Sequence, residues 1–179
     1  MDYAKRQVPA VRVLLASCLV MLGACNTTKS ADKIQPAVEY IVVRHAEKGA
    51  DDARDPSLSA VGNARAQSLA RLLADVPVDA VYATNYNRTQ QTAWPTATAR
   101  GVAVTTYDAR LPVATFVAQL RAAHTEGTVL VVGHSDTVPE IVFALSGQPI
   151  EAMPDTAFDR LYRVTVGSSG VVTLVQARY

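Results

Sequence analysis

Arg44 and His45 stand side by side at the end of an apolar run, Tyr40-Ile41-Val42-Val43. A second histidine, His134, ends a second such run, "TVLVVG", residues 128–133. Arg88 follows a third, "VDAVYAT", residues 78–84, through the polar link "NYN". Two guanidiniums and two imidazoles gathered round one pocket suit a phosphate. An arginine presents a planar fork of donors that matches phosphate oxygens two at a time. Such donors stabilise the charge spread over the equatorial oxygens when a phosphoryl group is transferred. A neutral imidazole can itself attack phosphorus and form a phosphohistidine, which divides one hard displacement by water into two easier steps. This chemistry needs no cofactor.

The argument requires elements that bring the four residues together. The chain of 179 residues has 49% hydrophobic and 18% charged residues, which is the composition of one globular domain. Apolar strands are expected at 38–43, 78–84, 102–107 and 128–133. Between them the spacing predicts helices at 59–75, 88–101, 113–124 and 136–147. In the first helix Val61, Ala64, Leu69, Leu72 and Leu73 fall near helical spacing, with Ser59 as cap. The second is expected to kink or restart at Pro95. A hairpin over 161–177 closes the chain. Alternation of this kind implies an α/β three-layer sandwich: a mostly parallel central sheet with helices on both faces. Sites in such sheets gather at the carboxyl ends of the strands. Arg44 and His45, Arg88, Asp108 and Arg110, and His134 with Ser135 and Asp136 all follow strand ends.

The segments "RHAEK" (44–48), "LSAVGNARAQSLARLL" (58–73), "VYATNYNRTQQTA" (81–93) and "VLVVGHSDT" (129–137) resemble, in this order, the histidine phosphatase superfamily with its phosphoglycerate mutase-like fold. The resemblance implies that His45 is the nucleophile that becomes phosphorylated. It implies that Arg44, Arg88 and His134 bind the phosphoryl group, with Asn87 and Thr137 as further pocket candidates. It also implies a small phosphorylated substrate. The departure concerns the general acid. Many relatives carry a glutamate in a pattern like R-L-x-E soon after the third strand, whereas the run here is Arg110-Leu111-Pro112-Val113. Asp136 and Asp108 are the substitutes, Asp136 being preferred for its place two residues after His134. Members without an evident acid favour good leaving groups, phosphoramidates among them.

Competing readings are weaker. A zinc site from His45, Glu47, His134 and Asp136 would place two arginines beside a cation, so no metal is expected. Gly133-His134-Ser135 imitates a nucleophile elbow, but Thr137 replaces the final glycine and no histidine follows residue 134. A non-catalytic phosphate-binding protein is the remaining alternative. Away from the motifs, Arg65, Arg71, Arg100 and Arg121 read as solvated helix positions and His124 as structural. Trp94 reads as core, Lys48 as an exposed loop charge and Asp51–Asp55 as solvated loop.

The amino-terminal region reads differently. Lys5, Arg6 and Arg12 precede an apolar stretch, Val13–Leu22, that is too short to span a bilayer. It runs into Leu22-Gly23-Ala24-Cys25, which resembles a lipobox. Residues 1–24 are therefore expected to be a lipoprotein signal peptide, Cys25 the lipidated residue, 25–37 a tether and 38–179 the catalytic domain. The expected location is the cell envelope, anchored at the outer membrane by lipid on Cys25 and facing the periplasm. Cys18 leaves with the signal, so the domain keeps no free thiol. The net charge of +1 gives no sign of a nucleic-acid partner.

Overall fold

A computed structural model describes residues 36–179, so the signal peptide, Cys25 and all but the end of the expected tether lie outside the described residues. The elements follow in the order β1 (Pro36–Arg44), α1 (Ala60–Leu72), β2 (Val78–Thr84), α2 (Asn87–Arg100), β3 (Val104–Tyr107), α3 (Val113–Ala123), β4 (Gly127–Gly133), α4 (Thr137–Ser146), β5 (Arg160–Gly167) and β6 (Val172–Arg178). They form one six-stranded sheet in the order β3-β2-β4-β1-β5-β6. The first four strands run parallel; β5 and β6 return antiparallel as the expected hairpin.

Alternation along the central strands divides the core between two faces. Tyr40 and Val42 of β1 and Val129 and Val131 of β4 pack with Phe116, Leu120, Ile141 and Leu145 of α3 and α4. Ile41, Val43, Leu130 and Val132 point the other way, onto Leu69, Ala93 and Ala97 of α1 and α2. Strands buried on both faces explain why β1 and β4 read as unbroken apolar runs.

Register sets the site. Arg44 lies opposite Gly133, Ala83 opposite Val132 and Thr84 opposite Tyr107. The carboxyl ends of β1, β2, β3 and β4 therefore finish level, and the residues after them meet at one edge.

Several expectations are corrected. α2 runs from Asn87 to Arg100 as one helix with Pro95 inside it, so it does not restart there. Trp94 is not core: it is 66% exposed. On α1, Val61 and Leu72 are exposed, while Gly62, Ala66 and Leu69 form the inward stripe. The stripe uses glycine and alanine because the helix lies close to the loop after β1; a Cβ at Gly62 would run into the Glu47 carbonyl. β1 opens at Pro36, two residues before the expected start, and β3 at Val104, two after. Among the described residues no helix is long and apolar enough to cross a membrane.

Candidate active site

His45 continues the sheet by one bond, its amide donating to the Gly133 carbonyl at 2.9 Å. Its side chain is buried, with Nδ1 2.8 Å from the Ala46 carbonyl oxygen. A carbonyl only accepts, so Nδ1 carries the proton and Nε2 keeps its lone pair. Burial pushes the imidazole pKa down to about 3 against the pull of the Ala46 carbonyl, helped by His134, Arg88 and Arg44. The ring is therefore neutral and nucleophilic through Nε2. The peptide that fixes it is held from α2: the Ala46 amide donates to Thr92 Oγ1 at 2.9 Å, and that hydroxyl donates to the Arg88 carbonyl at 2.7 Å.

Arg44 is buried and pinned by the loop between α4 and β5. Its Nη1 lies 3.0, 3.1 and 3.2 Å from the carbonyl oxygens of Pro154, Asp155 and Ala157, and its guanidinium lies over the Phe158 ring at 4.2 Å. Nη1 is thereby spent on backbone, which leaves the Nη2 edge, 3.8 Å from the Asp155 carboxylate, for an anion. Arg88 opens α2. It lies over the Tyr86 ring at 4.3 Å with Nη1 3.6 Å from the Asp55 carboxylate.

His134 follows β4. Its amide donates to Thr137 Oγ1 at 2.9 Å and its Nε2 is 3.0 Å from Thr84 Oγ1. Its ring stands edge-on to His45, centroids 5.4 Å apart, and edge-on to Tyr86 at 5.4 Å. Burial pushes its pKa down to about 4, reinforced by Arg88 and Arg44 and opposed by Asp136.

These groups line one cleft of about 460 Å³, together with Lys48, Tyr86, Arg110, Asp136, Thr137 and Asp155. A larger hollow of about 600 Å³ lies at the opposite end of the sheet, beside Glu39 and Gly127, and its lining has no histidine or arginine. The smaller cleft is the one with chemistry.

The sequence-based candidates are thus sorted. Arg44, His45, Arg88, His134, Asp136 and Thr137 meet in the cleft. Thr137 acts from behind, by holding the His134 backbone. Asn87 does not line the cleft: its amide N–H donates to the Asp55 carboxylate and its side chain to the Asp55 carbonyl, at 2.8 and 3.2 Å. Asp108 is also outside it, gripped by Arg110 through Nε at 3.0 Å and Nη2 at 2.9 Å, which holds its carboxyl down to about 2. A carboxylate so paired is a poor proton donor. Asp136 remains, though one of its oxygens accepts from the Thr137 amide at 2.8 Å as the cap of α4. Val113 begins α3 and packs against the core.

Glu47 turns away to a bidentate pair with Arg65, the oxygens 2.9 and 2.7 Å from Nε and Nη2, so Arg65 is not a solvated charge. This removes Glu47 from the imagined zinc set, and no three His, Cys, Asp or Glu among the described residues are placed to share a metal ion. His124 is structural as expected, bonded through Nε2 to Tyr82 Oη at 2.9 Å. Sequence reasoning missed Thr84, Thr89, Asp55, Tyr86, Asp155 and Phe158. The one available signal was the cluster of threonines in "TNYNRTQQT", too many hydroxyls for an ordinary amphipathic helix.

Residues 40–112 match the model of the histidine phosphatase superfamily (branch 1). The match spans less than half of the chain. No curated protein matches it. Among solved structures it is similar to the protein histidine phosphatase SixA complexed with tungstate, with TM-score 0.65 and 23% identity over 78% of this chain and 96% of that one. It is also similar to a mycobacterial glucosyl-3-phosphoglycerate phosphatase, with TM-score 0.59 and 14% identity over 79% and 97% of the two chains. At these identities the neighbours establish the fold alone.

Proposed function

We infer that the protein is a metal-independent phosphatase that transfers the phosphoryl group of a small substrate to His45 and then to water. The observation that carries this reading is the geometry of His45. Its Nδ1–H is tied to the Ala46 carbonyl, its Nε2 lone pair is free, and two guanidiniums and a second imidazole surround it. In the first step Nε2 attacks phosphorus, the P–N bond forms and the bond to the leaving group breaks. In the second, water attacks phosphorus, the P–N bond breaks with its electron pair returning to Nε2, and phosphate leaves. Arg44, Arg88 and His134 stabilise the equatorial oxygens in both steps.

Phosphomonoesters and phosphoramidates are the substrate classes, and the geometry favours leaving groups that need little help. The cleft has one internal candidate acid, Asp136, and that residue also caps α4. A phosphoramidate nitrogen can take its proton from solvent before the P–N bond breaks. SixA, the structural neighbour described as a protein histidine phosphatase, is consistent with that class. We place the enzyme at the cell envelope, held by lipid on Cys25 and facing the periplasm, on the strength of the lipobox-like sequence.

The test is hydrolysis of p-nitrophenyl phosphate and of phosphoramidate with EDTA present, by wild type and His45→Ala. EDTA-resistant turnover that disappears in the variant supports the reading. A folded wild-type protein that binds phosphate but turns over neither compound would favour the alternative of a phosphate-binding lipoprotein.

A further inference from the structure

His134 Nε2, Thr84 Oγ1, Thr89 Oγ1 and the Tyr86 carbonyl oxygen form a continuous chain of close contacts at 3.0, 2.8 and 2.7 Å. Both threonines are fully buried, so each contact needs a hydrogen from one of its own two partners. The direction can be worked out from the far end. The Tyr86 oxygen only accepts, as does the Thr84 carbonyl, 3.0 Å from Thr89 Oγ1. Thr89 has one hydroxyl hydrogen, and it must go to a carbonyl, or lone pairs would face each other at 2.7 Å. The hydrogen between the two threonines is therefore Thr84's. Thr84 then has none left for His134, so His134 must donate from Nε2.

We propose that Thr84 is a positioning residue that fixes neutral His134 as its Nε2–H tautomer, so that a phosphoryl group is bound with uptake of one proton at Nδ1. This rests on the phosphatase reading. Nδ1 is the nitrogen left for the cleft and makes no hydrogen bond among the described residues. In the neutral ring it offers a lone pair, which repels a dianionic phosphoryl oxygen. One proton placed between Nδ1 and that oxygen turns the repulsion into a charge-assisted hydrogen bond. The proton comes from solvent when the dianion binds, or arrives on the monoanion. The charged neighbours agree. Burial keeps the His134 ring neutral, reinforced by Arg88 of α2 and Arg44 at the end of β1 and opposed by Asp136, the cap of α4, while the neutral His45 ring stands edge-on beside it.

Two measurements test this. Long-range proton–nitrogen NMR correlations of the histidine-labelled protein without ligand read which nitrogen of His134 carries hydrogen. The expected answer is Nε2; hydrogen on Nδ1 would overturn the proposal, and this readout does not depend on turnover. Calorimetric titration with phenylphosphonate at pH 9, where its phosphoryl group is a dianion with no hydrogen of its own, in buffers of differing ionisation enthalpy, counts the protons taken up. Wild type is expected to take up close to one proton per phosphonate bound. Thr84→Val removes the acceptor at Nε2, lets hydrogen move to Nδ1 and lowers the count toward zero, while Thr84→Ser restores it. A wild-type count near zero, or a Val variant with unchanged count and tautomer, contradicts the proposal. A merely structural threonine would alter stability and leave both readouts where they were. If the phosphonate fails to bind while Nε2–H is found, the functional reading fails and the tautomer assignment stands.

Discussion

At the scale of single residues, chemistry was written more plainly than support. Arg44, His45, Arg88 and His134 were legible because their types are uncommon at the ends of apolar strands and because the register levels those ends. What holds them was not. Asp55 sits in a run of loop charges, yet it faces the Arg88 guanidinium and accepts from the Asn87 amide. Removing Arg88 as Ala is expected to lower turnover about 100- to 1,000-fold, the usual cost of losing one donor to a developing oxyanion. Steady-state kinetics checks it, and a loss under tenfold would take Arg88 out of the transition state. Asp136→Asn separates leaving groups. Hydrolysis of p-nitrophenyl phosphate should change less than about tenfold, because p-nitrophenolate needs no proton, whereas phenyl phosphate should slow about 100-fold or more. Equal effects on both esters would mean that Asp136 does not act as the acid.

At the scale of elements, period and order carried the sequence reading far. Every strand and helix expected from 38 to 177 is present; the central strands β1 and β4 are buried by helices on both faces and so carry the strongest apolar signal. The misses share a cause. Val61, Leu72 and Trp94 are large and apolar, but α1 and α2 approach their neighbours too closely for bulk, so small residues take the inward positions and large ones the outward. Gly62 is the tightest case. Gly62→Ala should lower the free energy of unfolding by about 1–3 kcal/mol through overpacking against the Glu47 carbonyl, despite alanine's better helix propensity. Urea denaturation measures it, and a stabilised variant would show that α1 can shift outward at no cost. The Arg44 clamp is likewise a property of an element. Three carbonyls of one loop aim at one guanidinium, and nothing local in "MPDTAF" announces that.

At the scale of the whole molecule, the site is held at a cost that pH reveals. His45 and His134 have folded-state pKa values of about 3 and about 4, below the ordinary value near 6.5. Between those values and 6.5 the unfolded chain binds protons that the folded one does not. Folding stability therefore falls as the pH drops from about 6.5 toward 4, by at most about 1.4 kcal/mol per pH unit for each histidine. His45→Gln should flatten its share of that slope in urea titrations between pH 7 and 5; an unchanged slope would contradict the buried, neutral His45. The proposed nucleophilic role of His45 requires the same neutrality. The central claim is tested most directly by quenching wild-type turnover in alkali, where a phosphohistidine survives, and locating the phosphoryl group by mass spectrometry. The account expects it on Nε2 of His45, and expects none in His45→Ala. Turnover with no phosphoryl group on His45, or with the group on another residue, would contradict it.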